Sequence, residues 1–183
     1  MGQLTLIVGG VRSGKSRLAE QLAATWPPVT YVATAQAGDA EMARRIAMHR
    51  QRRPADWATV EEPWNVTQLV GELGKPGAGQ GGQPGCVLVD CLTMWLSNLL
   101  GGLPGRPARG EADILAEVDG LAGTVRQGAR RVLVVSHEVG CGILPANVLA
   151  RRFGDLLGEA NQRLAAAAGE VHACLVGIPV RLK

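Results

Sequence analysis

The sequence predicts an α/β fold: a mostly parallel sheet flanked by helices, with a short C-terminal strand pair. Three observations carry this expectation. Short apolar runs at 4–8, 29–33, 86–90 and 131–135 alternate with longer stretches of helical periodicity, the pattern of successive βαβ units. The first run leads straight into Gly9-Gly10-Val11-Arg12-Ser13-Gly14-Lys15-Ser16, a G-x-x-x-x-G-K-S loop with a strand before it and an amphipathic helix after it. The length of 183 residues and an apolar content of 46% suit one domain, 1–183, with a sizeable core.

The loop carries its own chemistry. Its glycines let the backbone curl until consecutive N–H groups face phosphate oxygens, and the helix opening near Lys15 adds the positive end of its dipole. Lys15 is placed to reach the outer phosphates and the Ser16 hydroxyl to take a position on Mg²⁺. Nucleoside triphosphate binding follows.

The remaining elements can be justified in order. Pro27-Pro28 ends the first helix, because proline cannot continue it. Residues 29–33 form a second buried strand, which puts Ala33, Thr34 and Ala35 at the same sheet edge as the phosphate loop. Open α/β sheets bind their ligands at that edge.

A helix is expected over 39–53, with Asp39 as N-cap, acids early, arginines late, and Pro54 as its stop. Met42, Ile46, His49 and Arg53 share one face of it, and that face is expected to turn inward. Arg45, Arg50, Arg52 and Arg53 surround the histidine in sequence. On spacing alone, a solvated basic helix is the plainer reading. The alternative is an imidazole that meets a polyanion, where positive neighbours favour the uncharged form a nucleophile needs.

Residues 57–62 read as a short strand ended by Pro63. Glu61 or Glu62 at its end could hydrogen-bond a ribose or base, or simply be solvated. A helix over 64–73 and a low-complexity linker, GKPGAGQGGQPG over 74–85, come next; the linker's composition predicts mobility. The run Cys86-Val87-Leu88-Val89-Asp90 ends in an acid as a Walker B strand does, and Asp90 would orient Mg²⁺ or its waters. Helices are expected over 92–100 and 111–127, with a Gly/Pro loop over 101–110 between them.

The strand at 131–135 delivers Ser136-His137-Glu138 to the ligand edge. Three adjacent residues cannot adopt the geometry of a hydrolase triad. A long helix over 147–168 carries Arg151, Arg152, Asn161, Gln162 and Arg163, and strands at 170–176 and 178–182 close the chain as a hairpin around Gly177-Ile178-Pro179.

Bulk properties exclude several classes. A net charge of +3 argues against wholesale nucleic-acid binding. Cys86, Cys91, Cys141 and Cys174 form no C-x-x-C pair, so neither a zinc site nor a disulfide framework is indicated, and reduced thiols of a cytoplasmic protein are expected. No signal peptide is expected before the first strand. No uninterrupted apolar run approaches the ~18 residues of a membrane span.

Several stretches together carry a more specific resemblance: GGVRSGKS (9–16), YVATAQ (31–36), EMARRIAMHRQRRPADW (41–57), VLVDCLTMWLSNLL (87–100), VSHEVGCGILP (135–145) and NQRLAAAAGEV (161–171). In these, and in their order, the chain resembles the bifunctional adenosylcobinamide kinase / adenosylcobinamide-phosphate guanylyltransferase family of cobalamin biosynthesis. The R-I-x-x-H-R-x-x-R-P segment is far more specific than the phosphate loop.

The resemblance implies a P-loop NTPase-like (RecA-like) domain, a corrinoid substrate and two reactions at one nucleotide site. First, the γ-phosphoryl of ATP or GTP passes to the hydroxyl on the aminopropanol arm of adenosylcobinamide. Then the family's histidine, matching His49, attacks the α-phosphorus of GTP, and the guanylylated histidine gives GMP to the cobinamide phosphate. By the same resemblance Lys15 is catalytic with His49. Nucleotide contacts fall to Gly9–Ser16, to Ala33, Thr34 and Ala35, to Arg50, Gln51, Arg52 and Arg53, and to Glu61 and Asp90, with Ser16 and Asp90 on Mg²⁺. It also implies a homotrimer.

Two positions depart from the family's usual residues, His172 and Gly154; neither touches the expected nucleophile. Arg12, Asn161 and the 136–145 segment are candidates for corrinoid contact. Other readings are a small-molecule P-loop kinase without a covalent intermediate, or a nucleotide-dependent binding module. Against the last, the chain lacks the N-K-x-D guanine signature of regulatory GTPases.

Overall fold

The computed structural model describes residues 2–75 and 85–183. Most of the expected 74–85 linker therefore lies outside the described residues. The elements are β1 (Gln3–Gly9), α1 (Lys15–Ala23), β2 (Val29–Ala33), α2 (Ala40–Arg52), β3 (Ala58–Glu61), α3 (Val66–Leu73), β4 (Cys86–Asp90), α4 (Leu92–Gly101), α5 (Glu111–Gln127), β5 (Arg131–His137), α6 (Val148–Ala167), β6 (Glu170–Leu175) and β7 (Ile178–Arg181).

The strands form one seven-stranded sheet in the order β3-β2-β4-β5-β1-β6-β7. All neighbours are parallel except β6 and β7. This is the expected P-loop NTPase-like (RecA-like) sheet, with β5 lying between the phosphate-loop strand β1 and the acid-ended strand β4. Its inner strands are buried on both faces, so they read as continuous apolar runs and not as alternating ones.

One face is covered by α3, α4, α5 and α6, which bury Trp95, Leu96, Leu99, Ile114, Leu121, Leu157 and Leu164 against Leu6, Val32, Val87 and Val89. On the other face α1 packs Ala19 and Ala23 against Ile7, Tyr31, Leu88 and Leu133. Fully burying side chains of this size contributes about 1.5–3 kcal/mol each.

Helix α2 departs from expectation. Asp39 caps it, its carboxylate accepting from the Met42 amide at 2.7 Å. Of its residues and its C-cap, Met42, Ile46, His49 and Arg53 are half-buried while the others are exposed, and none is fully buried. The stripe exists, but it faces the ligand edge and not the core. Two boundaries also shift. Strand β5 runs on through Ser136 and His137. The final hairpin turns at Val176-Gly177, both with positive φ (48° and 86°), the two-residue geometry that matches strand twist. Ile178 and Pro179 are inside β7, at the sheet edge where a missing N–H is tolerated.

Register brings the carboxyl ends of four strands together: Ala33 lies beside Asp90, Asp90 beside Val135, and Gly9 beside His137.

Candidate active site

The phosphate loop begins where β1 ends. A side chain at Gly9 would place a Cβ 2.5 Å from Ser13 Oγ and 2.6 Å from the Cys174 carbonyl oxygen, so only glycine fits. Arg12 (φ 56°) and Gly14 (φ 95°) take left-handed conformations, which curl the loop into an anion-binding concavity. Val11 and Arg12 are exposed on its outside, whereas Ser13 is buried with no partner for Oγ among the described residues.

Helix α1 starts at Lys15 with no acid in its first turn, so its first amides are available to an anion. Lys15 itself is buried and folds back over the loop, Nζ donating to the Gly10 carbonyl at 3.1 Å. Burial holds its pKa below the ordinary lysine value, opposed by the nearby Cys91 and Asp90.

Across the edge, Asp90 ends β4. The Tyr31 hydroxyl donates to Asp90 Oδ2 at 2.7 Å, and His49 Nδ1 lies 3.9 Å from the same oxygen. Burial and the Asp90 carboxylate push the Tyr31 hydroxyl far above its ordinary pKa, so it stays a donor. The Arg53 guanidinium stacks over the Tyr31 ring at 3.6 Å from its centroid, and its buried Nε and Nη1 have no partner among the described residues. Such a buried cation with open donors suits an anionic ligand.

Three arginines of α2 are committed elsewhere. Arg50 pairs with Glu61, Arg52 with Glu20 at 3.0 Å and Arg45 with Glu41 at 2.5 Å. Both members of the Arg50–Glu61 pair are exposed, as is Gln51; exposed pairs of this kind contribute little. The imidazole meets the Asp90 carboxylate, while three of the arginines that the sequence places around it pair with acids.

Thr34 has a structural job as well. Its hydroxyl donates to the Cys91 carbonyl and accepts from the Cys91 amide, both at 2.7 Å. Its own amide donates to the Asp90 carbonyl at 3.2 Å, and its carbonyl accepts from Asn98 Nδ2 at 2.9 Å. Thr34 thus clamps the ends of β2 and β4 together, with half-buried Ala33 and Ala35 on either side.

His137, which the sequence places on the ligand edge within the 136–145 segment offered for corrinoid contact, lies beside these residues. Its amide donates to Thr93 Oγ1 at 2.9 Å, its Nδ1 lies 3.1 Å from the same oxygen, and its carbonyl accepts from Asn161 Nδ2 at 3.0 Å. Burial, reinforced by Lys15, lowers its pKa to about 4. Asn161 Oδ1 is buried with no partner among the described residues. Tyr31 was missed as a site residue, because an apolar strand gives no sign that the hydroxyl of its aromatic residue meets Asp90.

A Ser16 hydroxyl at the start of α1 and the Asp90 carboxylate are hard oxygen donors that suit Mg²⁺. That ion takes few protein ligands and draws the rest from phosphates and water. No group of three or more His, Cys, Asp or Glu residues that could hold a metal occurs among the described residues.

Comparison with known proteins agrees with this geometry. A family model described as cobinamide kinase / cobinamide phosphate guanyltransferase matches residues 5–182. The bifunctional adenosylcobalamin biosynthesis protein CobP of Pseudomonas aeruginosa is 46% identical over 182 residues, covering 97% of this chain and 96% of its own. CobU of Escherichia coli, a bifunctional adenosylcobalamin biosynthesis protein, is 40% identical over 187 residues, covering 98% of this chain and 99% of its own. Among solved structures, the P4 protein from bacteriophage phi13 superposes with a TM-score of 0.52 at 15% identity, over 98% of this chain and 53% of that one; this likeness is one of fold alone. A match over nearly the whole length, with full-length relatives at this identity, places the chain in the cobinamide kinase / cobinamide phosphate guanyltransferase family.

Proposed function

We propose that this chain carries out both reactions on one nucleotide site. It phosphorylates adenosylcobinamide with ATP or GTP, then transfers GMP from GTP to the phosphorylated corrinoid through a guanylylated His49. The observation that carries this reading is the meeting of His49 and Asp90 at 3.9 Å, on the same sheet edge as a complete phosphate loop.

The loop amides and Lys15 hold the outer phosphates. In the kinase step the corrinoid hydroxyl attacks the γ-phosphorus and the nucleoside diphosphate leaves. In the transferase step an uncharged imidazole attacks the α-phosphorus. The outer phosphates that the loop already grips are then the leaving pyrophosphate. Both steps depend on positioning and charge neutralisation. Ser16 and Asp90 would hold Mg²⁺, which would supply further neutralisation of the phosphate charge. Arg53, with its open donors, is placed to meet the nucleotide as well.

Exposed apolar residues Ile143 (98% exposed), Leu144 (78%) and Val148 (62%) support self-association, and the family resemblance makes a homotrimer the assembly proposed. The unpaired cysteines Cys86, Cys91, Cys141 and Cys174 support a reducing, cytoplasmic setting. No helix among the described residues is long and apolar enough to cross a membrane.

The test is His49→Ala supplied with adenosylcobinamide, GTP and Mg²⁺. Phosphorylated corrinoid should accumulate and no adenosylcobinamide-GDP should form. Formation of adenosylcobinamide-GDP by the variant at the wild-type rate overturns the assignment.

A further inference from the structure

We infer that Tyr31 and Asp90 act together as the positioning device for His49, holding its Nδ1–H so that Nε2 is the atom that attacks the α-phosphorus. The inference rests on the reading of His49 as the guanylylated residue and specifies its geometry.

Three observations converge. His49 Nδ1, not Nε2, is the ring nitrogen that faces Asp90 Oδ2, at 3.9 Å. The same oxygen accepts from the Tyr31 hydroxyl at 2.7 Å, which fixes the carboxylate rotamer. Tyr31 in turn cannot move, because it is buried in the core beneath the sheet edge and capped by the Arg53 guanidinium at 3.6 Å. Only a short closure of the imidazole, which is half-buried on helix α2, separates this arrangement from a full hydrogen bond. Catalytic hydrogen bonds are often this long before substrate binds.

The chemistry explains why such a device belongs here. A carboxylate that accepts Nδ1–H selects the tautomer whose lone pair is on Nε2 and orients the ring. When Nε2 attacks, an Nε2–P bond forms, the bond from the α-phosphorus to the bridging oxygen breaks, and pyrophosphate departs with that electron pair. No proton is lost, so the ring becomes a phosphorylated imidazolium, and its new positive charge lies against Asp90. When the corrinoid phosphate oxygen then attacks the α-phosphorus, the Nε2–P bond breaks and the electron pair returns to nitrogen, restoring the neutral ring. Tyr31 shares the carboxylate oxygen throughout and keeps it from rotating away.

The test uses the wild-type enzyme with ¹⁵N-labelled histidine, incubated with GTP and Mg²⁺ and analysed by NMR for phosphorus–nitrogen coupling. Coupling at Nε2 of His49 is expected; an adduct on Nδ1 overturns the inference while leaving the covalent mechanism intact. Failure to form any adduct overturns the guanylylated-histidine reading itself, and the inference with it. The second arm is Tyr31→Phe, which keeps the ring under Arg53 and removes only the hydroxyl. Its guanylylation rate at saturating GTP should fall about tenfold to a hundredfold, the effect of a lost hydrogen bond to a charged group. The half-saturating GTP concentration should change far less. A wild-type rate in the variant removes Tyr31 from the device. A variant that fails to fold leaves the isomer assignment on the wild type to decide.

Discussion

The amide of Gly177 donates a hydrogen bond to the carbonyl of Ser13 at 3.0 Å, tying the turn of the C-terminal hairpin to the middle of the phosphate loop. The contact is close: a Cβ built on Gly14 would lie 3.3 Å from Gly177 Cα. The edge strand pair thus props the loop from outside the parallel sheet. Gly177→Pro removes the donor and cannot adopt the observed φ of 86°. It should weaken GTP binding several-fold and cost about 1–3 kcal/mol of stability. Calorimetric titration and denaturant unfolding check both; unchanged GTP affinity would detach the hairpin from the loop.

The two glycines that open the loop should behave differently. Gly9→Ala forces a Cβ within 2.6 Å of a backbone carbonyl oxygen, whereas Gly10→Ala meets nothing within 4 Å. Gly9→Ala is expected to destabilise the fold by about 2 kcal/mol or more, and Gly10→Ala by less than about 0.5 kcal/mol. Urea midpoints of the two variants measured side by side decide this.

Thr34→Val keeps the shape of the side chain but strands the amide of the buried Cys91, whose carbonyl keeps the Trp95 amide as a donor. Leaving one such group unsatisfied costs about 1–3 kcal/mol, so the variant should melt a few degrees lower. A melting temperature within error of the wild type would show that the clamp between β2 and β4 contributes nothing.

His137 gives the fold a pH dependence of definite sign. Burial first and Lys15 second lower its pKa to about 4, while the unfolded chain takes up the proton near the ordinary value of about 6.5. Its contribution is therefore complete above about pH 6.5 and is lost as the pH falls towards 4. After discounting for its partly exposed ring, this is about 1–2 kcal/mol. His137→Gln should flatten the fall in unfolding free energy between pH 7 and pH 4.5; an identical slope in both proteins would contradict the burial argument.

How much of this was legible beforehand follows from the range of each interaction. Strands β2 and β4 read to the residue, because each is an apolar run bounded by proline, glycine or an acid. The phosphate loop and Asp90 read as ligand-edge features, because strand ends set their position. The half-buried stripe on α2 was legible from spacing, but its destination was not: the sequence shows which residues share a face and not what that face meets. The arginines beside His49 suggested a cationic pocket. Instead Arg50 and Arg52 reach Glu61 and Glu20, partners that only the tertiary fold supplies. Tyr31 and Gly177 were invisible as site residues for the same reason, since Tyr31 meets its acid 59 residues away and Gly177 meets a loop near the other end of the chain. The resemblance of its motifs to the family's implied the role proposed for His49, where spacing alone favoured a solvated helix.

The most direct test of the central claim is incubation of the wild type and His49→Ala with Mg²⁺ and GTP labelled at the α-phosphorus, followed by denaturation. An acid-labile, alkali-stable label on the wild type, absent from the variant, is the predicted result, because a phosphorus–nitrogen bond to His49 has that stability. Wild-type protein that is folded and binds GTP yet carries no label, or a variant labelled as strongly as the wild type, would contradict the mechanism.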